Sequence, residues 1–439
     1  MKTERTWGVT PVPERLRTLS FLDVGLLWSN LGISLLVLVA GALLGPALGF
    51  ERALLAIVVG AVLGNMLLGV AALVGAERRL PAMVLLRAPL GERGSYLPTV
   101  LNVLQNLGWA TFELIVIAAA ADALADRFFG FRERWVWVIV FAVLITALAL
   151  AGPISFVRRY VRRFAVWAVV ASTLYLTWWA LDGSDLGALW RSGGDGTLTF
   201  WQGVDLTIAM AASWLPLAAD YTRFARTGRA AFWGTAVGYL VPLVWLYSLG
   251  ALLLLSRGIG AVADLDDLLV AVAAGGLGTA LALLALTVDE ADEPFANVYS
   301  ASVSLQNLFP SASQRLLIVL VSATATVGAL AIDLVQYAVF LFLLGSFFVP
   351  LFGVLAADFV LGEAGAVGVR WSGLGAWLAG FAVYQWIQPT GPEAWTALLA
   401  GANAGSLTIG ASLPSFAVSF LLYAAARSAV ALRPAVARR

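Results

Sequence analysis

Stretches of about twenty apolar residues recur along nearly the whole chain, and no other feature restricts its fold as much. A segment of that length crosses the hydrocarbon of a bilayer as a helix, because a helix satisfies its own backbone polar groups there. Twelve spans are read, at about 21–45, 51–75, 98–123, 134–152, 160–181, 201–219, 232–255, 275–305, 316–333, 335–360, 371–389 and 406–427. Composition agrees: 61% of the 439 residues are hydrophobic and 12% are charged, against about a quarter charged in a soluble domain. The fold class expected is an all-α polytopic membrane protein. Residues 1–20 are polar and hold two prolines, which argues against a cleavable signal peptide and makes the first span the insertion signal.

The basic residues orient these spans. They gather before the first span, at 78–93, 158–163 and 223–229, at Arg315 and Arg370, and from Arg427 onward. With the N-terminus inside, 21 of the 27 fall on cytoplasmic segments, and only Arg52, Arg127, Arg132, Arg134, Arg191 and Arg257 lie outside. That asymmetry predicts an even number of spans in the inner (cytoplasmic) membrane with both termini cytoplasmic. The segment 75–98, rich in Pro and Gly, reads as a short interfacial helix and loop. The Arg158–Arg163 cluster reads as a topology determinant.

Against this background, residues 284–307, LALTVDEADEPFANVYSASVSLQN, are anomalous. On one continuous helix Asp289, Glu290, Glu293 and Asn297 share a face, with Asp292 at its edge, and no Lys or Arg lies between Arg257 and Arg315. Carboxylates facing lipid cost several kcal/mol each, so these must face a bundle interior, a cation or water, or carry a proton. The competing reading is that the chain has left the bilayer by Asp289, which makes the acids a solvated helix end. Zero His and zero Cys remove the commonest metal ligand and any disulfide.

Two spans carry interruptions. The first has Trp28-Ser29-Asn30 and Gly32 at mid-membrane, and the sixth has Ala211-Ala212-Ser213, then Trp214 and Pro216. Each suits a broken helix that frees backbone groups for a ligand or cation; small-residue packing, with Asn30 bonded to a neighbour, is the other reading of the first span. Breaks five spans apart predict an inverted repeat with the site between the halves. In the third span Trp109 and Glu113 stand at i and i+4, with Asn102, Gln105 and Asn106 on the turns before. An indole beside a buried carboxylate forms a clamp for a planar ring that donates N–H bonds; ordinary packing is the alternative for Trp109.

Three blocks, RLPAMVLLRAPLGERGSYLPTVLNVLQNLGWATFELIVIA, SWLPLAADYTRFAR and FANVYSASVSLQNL, resemble the nucleobase:cation symporter-1 family, closest to its cytosine or hydroxymethylpyrimidine (thiamine-precursor) branch. The resemblance runs from about residue 15 to 425. It implies a leucine-transporter-type fold of two inverted five-helix repeats (21–181 and 201–360). Around them stand an N-terminal segment 1–20, two additional spans in 371–427 and a tail 428–439. It also implies uptake of a planar heterocycle coupled to Na⁺ or H⁺. Trp109 matches the family's stacking Trp, Glu113 the polar residue one turn later, Asn297 its substrate-bonding Asn, and Trp214 its covering aromatic. The family's sodium site maps to backbone oxygens at Ser29 and Gly32. Its two eighth-span hydroxyls have no counterpart here, where Ala291, Asp292 and Glu293 stand instead.

The expected substrate-binding set is therefore Trp109, Glu113, Asn297, Trp214, Ser213, Asn30 and Asn106. The coupling set is Ser29, Gly32, Asp289, Asp292 and Glu293, with Na⁺ placed at Ser29, Gly32 and Asp292 or a proton on the acids. A cation channel is the second reading, but its charge ring usually comes from several subunits or repeats, and here one span carries the cluster. A membrane-embedded transferase is the third, and it lacks mid-membrane basic residues for a phosphate. The partners expected are a small heterocycle and the bilayer, with no nucleic acid, no catalytic residues and no cofactor beyond the coupling ion; no oligomeric state is specified.

Overall fold

A chain that must satisfy its own backbone in lipid is left with helices, and among the described residues every regular element is one. The lone exception is an isolated bridge between Leu19 and Ala225. The computed structural model describes residues 10–151, 166–257, 265–332, 337–362, 365, 367–402, 404–405 and 407–431. The expected Arg158–Arg163 hairpin, the start of the fifth span and most of the terminal segments lie outside the described residues.

The first half of the chain, over the span of the expected first repeat, comprises α1 (Phe21–Leu31), α2 (Leu35–Leu48), α3 (Phe50–Arg78), the short α4 (Ala82–Leu85) and α5 (Arg87–Leu90), α6 (Tyr96–Phe129), α7 (Arg134–Ala151) and α8 (Val166–Leu181). After α9 (Leu186–Trp190), the span of the expected second repeat holds α10 (Phe200–Ala212), α11 (Leu215–Thr222), α12 (Gly228–Arg257), α13 (Leu265–Ala274), α14 (Leu277–Asp289), α15 (Asp292–Leu308), α16 (Gln314–Ala331) and α17 (Tyr337–Leu361). Beyond it stand α18 (Trp371–Ile387), α19 (Glu393–Gly401) and α20 (Ser412–Ala431). Over the described residues, each expected span coincides with a helix or an interrupted pair. Among the described residues, six helices (α3, α6, α7, α12, α16 and α17) are long and apolar enough to cross a membrane alone, and α1 with α2, bent by 62°, makes a seventh.

Two groups of helices define the interior. In one, α12 runs along α1, α2 and α3, while α10 and α11 lie on α3. In the other, α6 packs on α7, α15 and α16. Close approach in the first group depends on missing side chains: a Cβ on Gly41 would strike the Tyr247 backbone, and one on Gly250 the Leu38 carbonyl.

Three spans are interrupted: the first bends by 62°, while the sixth and eighth carry two-residue turns whose backbone stays helical. At the first, the Gly32 amide still bonds the Trp28 carbonyl, the Ile33 amide turns tightly onto Asn30, and Ser34 in extended conformation caps α2. Gly32 is required by space: a Cβ there would lie 2.6 Å from the Pro242 ring of α12. In the sixth span the turn at Ser213–Trp214 precedes α11, whose first turn holds Pro216 where its missing N–H costs nothing. The eighth span was expected as one helix over 275–305, and the structure corrects this to α14 and α15. Pro294 is the cause: it cannot donate to the Glu290 carbonyl, which instead receives a strained 3.3 Å bond from the Glu293 amide.

Candidate substrate site

The three breaks and the middle of α6 surround one cavity. Its walls are Ser34, Leu36 and Val37 of α2, Trp109 and Glu113 of α6, Met210, Ser213 and Trp214 at the sixth-span break, Tyr239 of α12, and Glu293 and Asn297 of α15. The free space is about 10 Å³, room for about one water molecule, so in this conformation the walls meet where a ring would lie.

Polar contacts organise the walls. Asn297 Nδ2 donates to both Glu113 oxygens at 2.8 and 3.1 Å and to the Glu293 carbonyl at 3.3 Å. Glu113 and Glu293 also face one another within hydrogen-bonding reach. Trp109 is backed edge-on by Tyr337 and Phe340, with centroids 5.9 and 5.3 Å away. Trp214 gives its indole N–H to the Tyr239 hydroxyl at 2.9 Å and leans on buried Trp28, so only its ring remains for a ligand. Gln105 Nε2 donates to the Ser213 carbonyl at 2.9 Å, which satisfies the backbone freed by that break.

The acids of the eighth span do not form a solvated helix end. Asp289, Glu290 and Glu293 are 8%, 1% and 4% exposed, while the Asp292 side chain lies outside the described residues. Glu290, which was not among the expected site residues, makes the most specific contacts: its Oε1 accepts from Ser34 Oγ at 2.9 Å and its Oε2 from the Leu35 amide at 2.6 Å. A carboxylate here meets a free amide and the positive end of α2 together. Other buried acids use the same solution. Asp205 accepts from the amides of Ala411 and Ser412, and Asp220 from the Ala82 amide and from Ser300 Oγ. Arg223 Nε donates to the Asp220 carbonyl at 3.2 Å.

Of the expected substrate set, Trp109, Glu113, Asn297, Trp214 and Ser213 line the cavity. Asn30 and Asn106 do not: Asn106 donates to the Asn102 carbonyl and amide oxygen one turn back, and Asn30 is buried at the end of α1. Among the described side chains of the coupling set, only Glu293 lines it. Ser29 Oγ donates to the Gly238 carbonyl at 2.9 Å, so the hydroxyl faces α12 and not the eighth span. Gly32 packs on Pro242, and Asp289 ends α14 away from the cavity. Among the described residues, no group of three or more Asp or Glu converges as metal ligands. The sequence reasoning missed Ser34, Met210, Tyr239 and Glu290. Ser34 carried a signal, as a helix-capping residue before an apolar run; Tyr239 and Met210 carried none.

Comparison with known proteins follows this geometry. Residues 11–370 match the family model described as permease for cytosine/purines, uracil, thiamine, allantoin. The cytosine permease of Escherichia coli K12 is 24% identical over 421 residues, 92% of this chain and 94% of that protein. A hydantoin permease of Microbacterium maritypicum is 25% identical over 181 residues, 41% of this chain and 37% of that protein. Mhp1, a nucleobase-cation-symport-1 family transporter solved closed with bromovinylhydantoin bound, superposes with a TM-score of 0.74 at 21% identity, covering 97% of this chain and 96% of that one. A likeness of that extent makes the fold the leucine-transporter-type 5+5 arrangement with two further C-terminal helices.

Proposed function

This chain belongs to the family of permeases for cytosine/purines, uracil, thiamine and allantoin, and from that premise we propose that it imports a nucleobase-like heterocycle by alternating access. It is a multi-pass membrane transporter and not an enzyme. One observation carries the choice of cargo: an indole face, a carboxylate and a carboxamide (Trp109, Glu113 and Asn297) converge on one cavity bounded by three broken spans. The indole supplies a flat apolar surface. Glu113, with no basic side chain on the cavity wall, accepts N–H bonds from the ring, and Asn297 exchanges its bond to Glu113 for one to the ligand. An acceptor carboxylate favours a ring rich in donors, hence an aminopyrimidine such as hydroxymethylpyrimidine or cytosine.

For coupling we favour a proton over Na⁺. Glu113 and Glu293 share the cavity, and one proton between them removes their repulsion as the ring binds. Glu290, the acid nearest the first break, already has donors on both oxygens. A cation channel is the alternative, and accumulation of cargo against its gradient excludes it.

The test is uptake of radiolabelled cytosine, hydroxymethylpyrimidine, uracil and hydantoin, first with Na⁺ replaced by choline and then under an imposed pH gradient. Aminopyrimidine uptake that persists without Na⁺ and collapses with the pH gradient is expected. In Glu113→Gln the apparent affinity falls about 10- to 100-fold, as for a lost hydrogen bond to a charged group. Wild-type affinity in that variant would sink the assignment of Glu113.

A further inference from the structure

Neither α18 nor α20, the spans beyond the repeat, contributes to the cavity wall. Yet α20 is clasped by a buried carboxylate near each end. Asp205, in the middle of α10 and 2% exposed, holds the Ala411 amide at 2.6 Å and the Ser412 amide at 3.1 Å, where α20 begins. Toward its other end, Asp358 of α17 accepts from the Tyr423 hydroxyl at 2.8 Å and from Arg427 Nη1 at 2.9 Å. Arg427 Nη2 also donates to the Gly362 carbonyl at 3.2 Å. Between the clasps α20 packs on α17 and α18, and its polar contact with α10 is through Asp205.

Of the two spans that hold α20, α10 runs into the cavity wall and α17 stands behind it, against Trp109. Two turns after Asp205, α10 ends at Ser213, beside Trp214. At its start, α17 presents Tyr337 and Phe340 to the edge of Trp109. Helices α10 and α17 also pack on each other, but apolar contact at membrane depth lets helices slide, since lipid tails are as apolar as the side chains. Charge-assisted bonds at both ends of a third helix do not.

We propose that Asp205 and Asp358 are positioning residues that make α20 a brace between the sixth and tenth spans, and so set the separation of the Ser213–Trp214 and Trp109 walls. The proposal rests on that cavity being the substrate site, but its test does not need the substrate. The chain has no cysteine, so Trp201→Cys at the start of α10 and Phe129→Cys at the end of α6, both exposed, take two spin labels without background. In purified full-length protein the inter-label distance distribution reports α10 against the span that carries Trp109.

The parent pair gives a narrow distribution. Asp205→Leu leaves two amides without an acceptor and broadens and shifts it; should that variant not fold, Asp205→Asn, which loses one acceptor, gives a smaller change in the same direction. Arg427→Gln, at the far end of the brace, broadens it as well. Uptake of radiolabelled cytosine falls at least about tenfold in rate in each, because misplacement by about 1 Å is that costly. An unchanged distribution in folded Arg427→Gln or in the folded Asp205 variant overturns the brace, whatever uptake shows. A changed distribution with no cytosine uptake by the parent leaves the brace standing and refutes the cargo instead.

Discussion

Glu290 shows how this protein keeps acids at membrane depth without basic partners. Its carboxylate accepts the Leu35 amide, a donor that the break in the first span would otherwise leave empty, and the Ser34 hydroxyl that caps the same helix. Removing it costs the desolvation of an unpaired buried amide, about 1–3 kcal/mol. Glu290→Ala therefore lowers the thermal unfolding temperature in detergent, and Glu290→Gln, which keeps one acceptor, lowers it less; an alanine variant that melts like the parent contradicts this role. The same substitution loosens Ser34, Leu36 and Val37, which line the cavity, so uptake falls with stability. Trp109 and Glu113 could be read from sequence because an intramembrane carboxylate is rare and its helical neighbour at i−4 follows from geometry alone. Which of four clustered acids meets the first span could not be read, because that depends on where the eighth span turns.

That turn belongs to the elements. Glycine with polar neighbours announced the first break, and Ser213 followed by Pro216 the sixth, so both were legible. The third was not: 275–305 reads as one continuous helix, and Asp292 and Glu293 take the coupling role through the family's hydroxyl positions one turn before Asn297, while Glu290, on the same helical face, stands outside the set. Pro294→Ala restores the missing donor to the Glu290 carbonyl. It leaves thermal stability little changed, since Pro294 stands in the first turn of α15, where proline is tolerated, yet lowers uptake as Glu290 and Glu293 rotate off their partners. Full uptake in that variant shows that the break has no part in transport. Gly32→Ala behaves oppositely: its Cβ enters the Pro242 ring at 2.6 Å, and the variant loses stability and uptake together.

At the scale of the whole molecule, the apolar runs read from hydropathy coincide with helices over the described residues, since the length of an apolar run and the need for internal backbone bonding are both local properties. Orientation is a separate matter, resting on the 21 to 6 partition of basic residues. With no native cysteine, a membrane-impermeant maleimide on intact cells labels Phe129→Cys, between the third and fourth spans, and spares Phe309→Cys, between the eighth and ninth. The reverse pattern refutes cytoplasmic termini. What hydropathy could not convey is why two spans follow the repeat, because the Asp205 clasp joins residues 206 positions apart.

Glu290 and Asp205 each meet the start of a helix in place of a lysine or arginine. Counter-charge built from peptide dipoles has no proton to lose and no flexible arm to be drawn aside by a passing anion. Sheltered from mobile ions, it is scarcely weakened by electrolyte. The resting architecture should therefore be indifferent to ionic strength, and only the sliding of one rod past another can lay those acids bare.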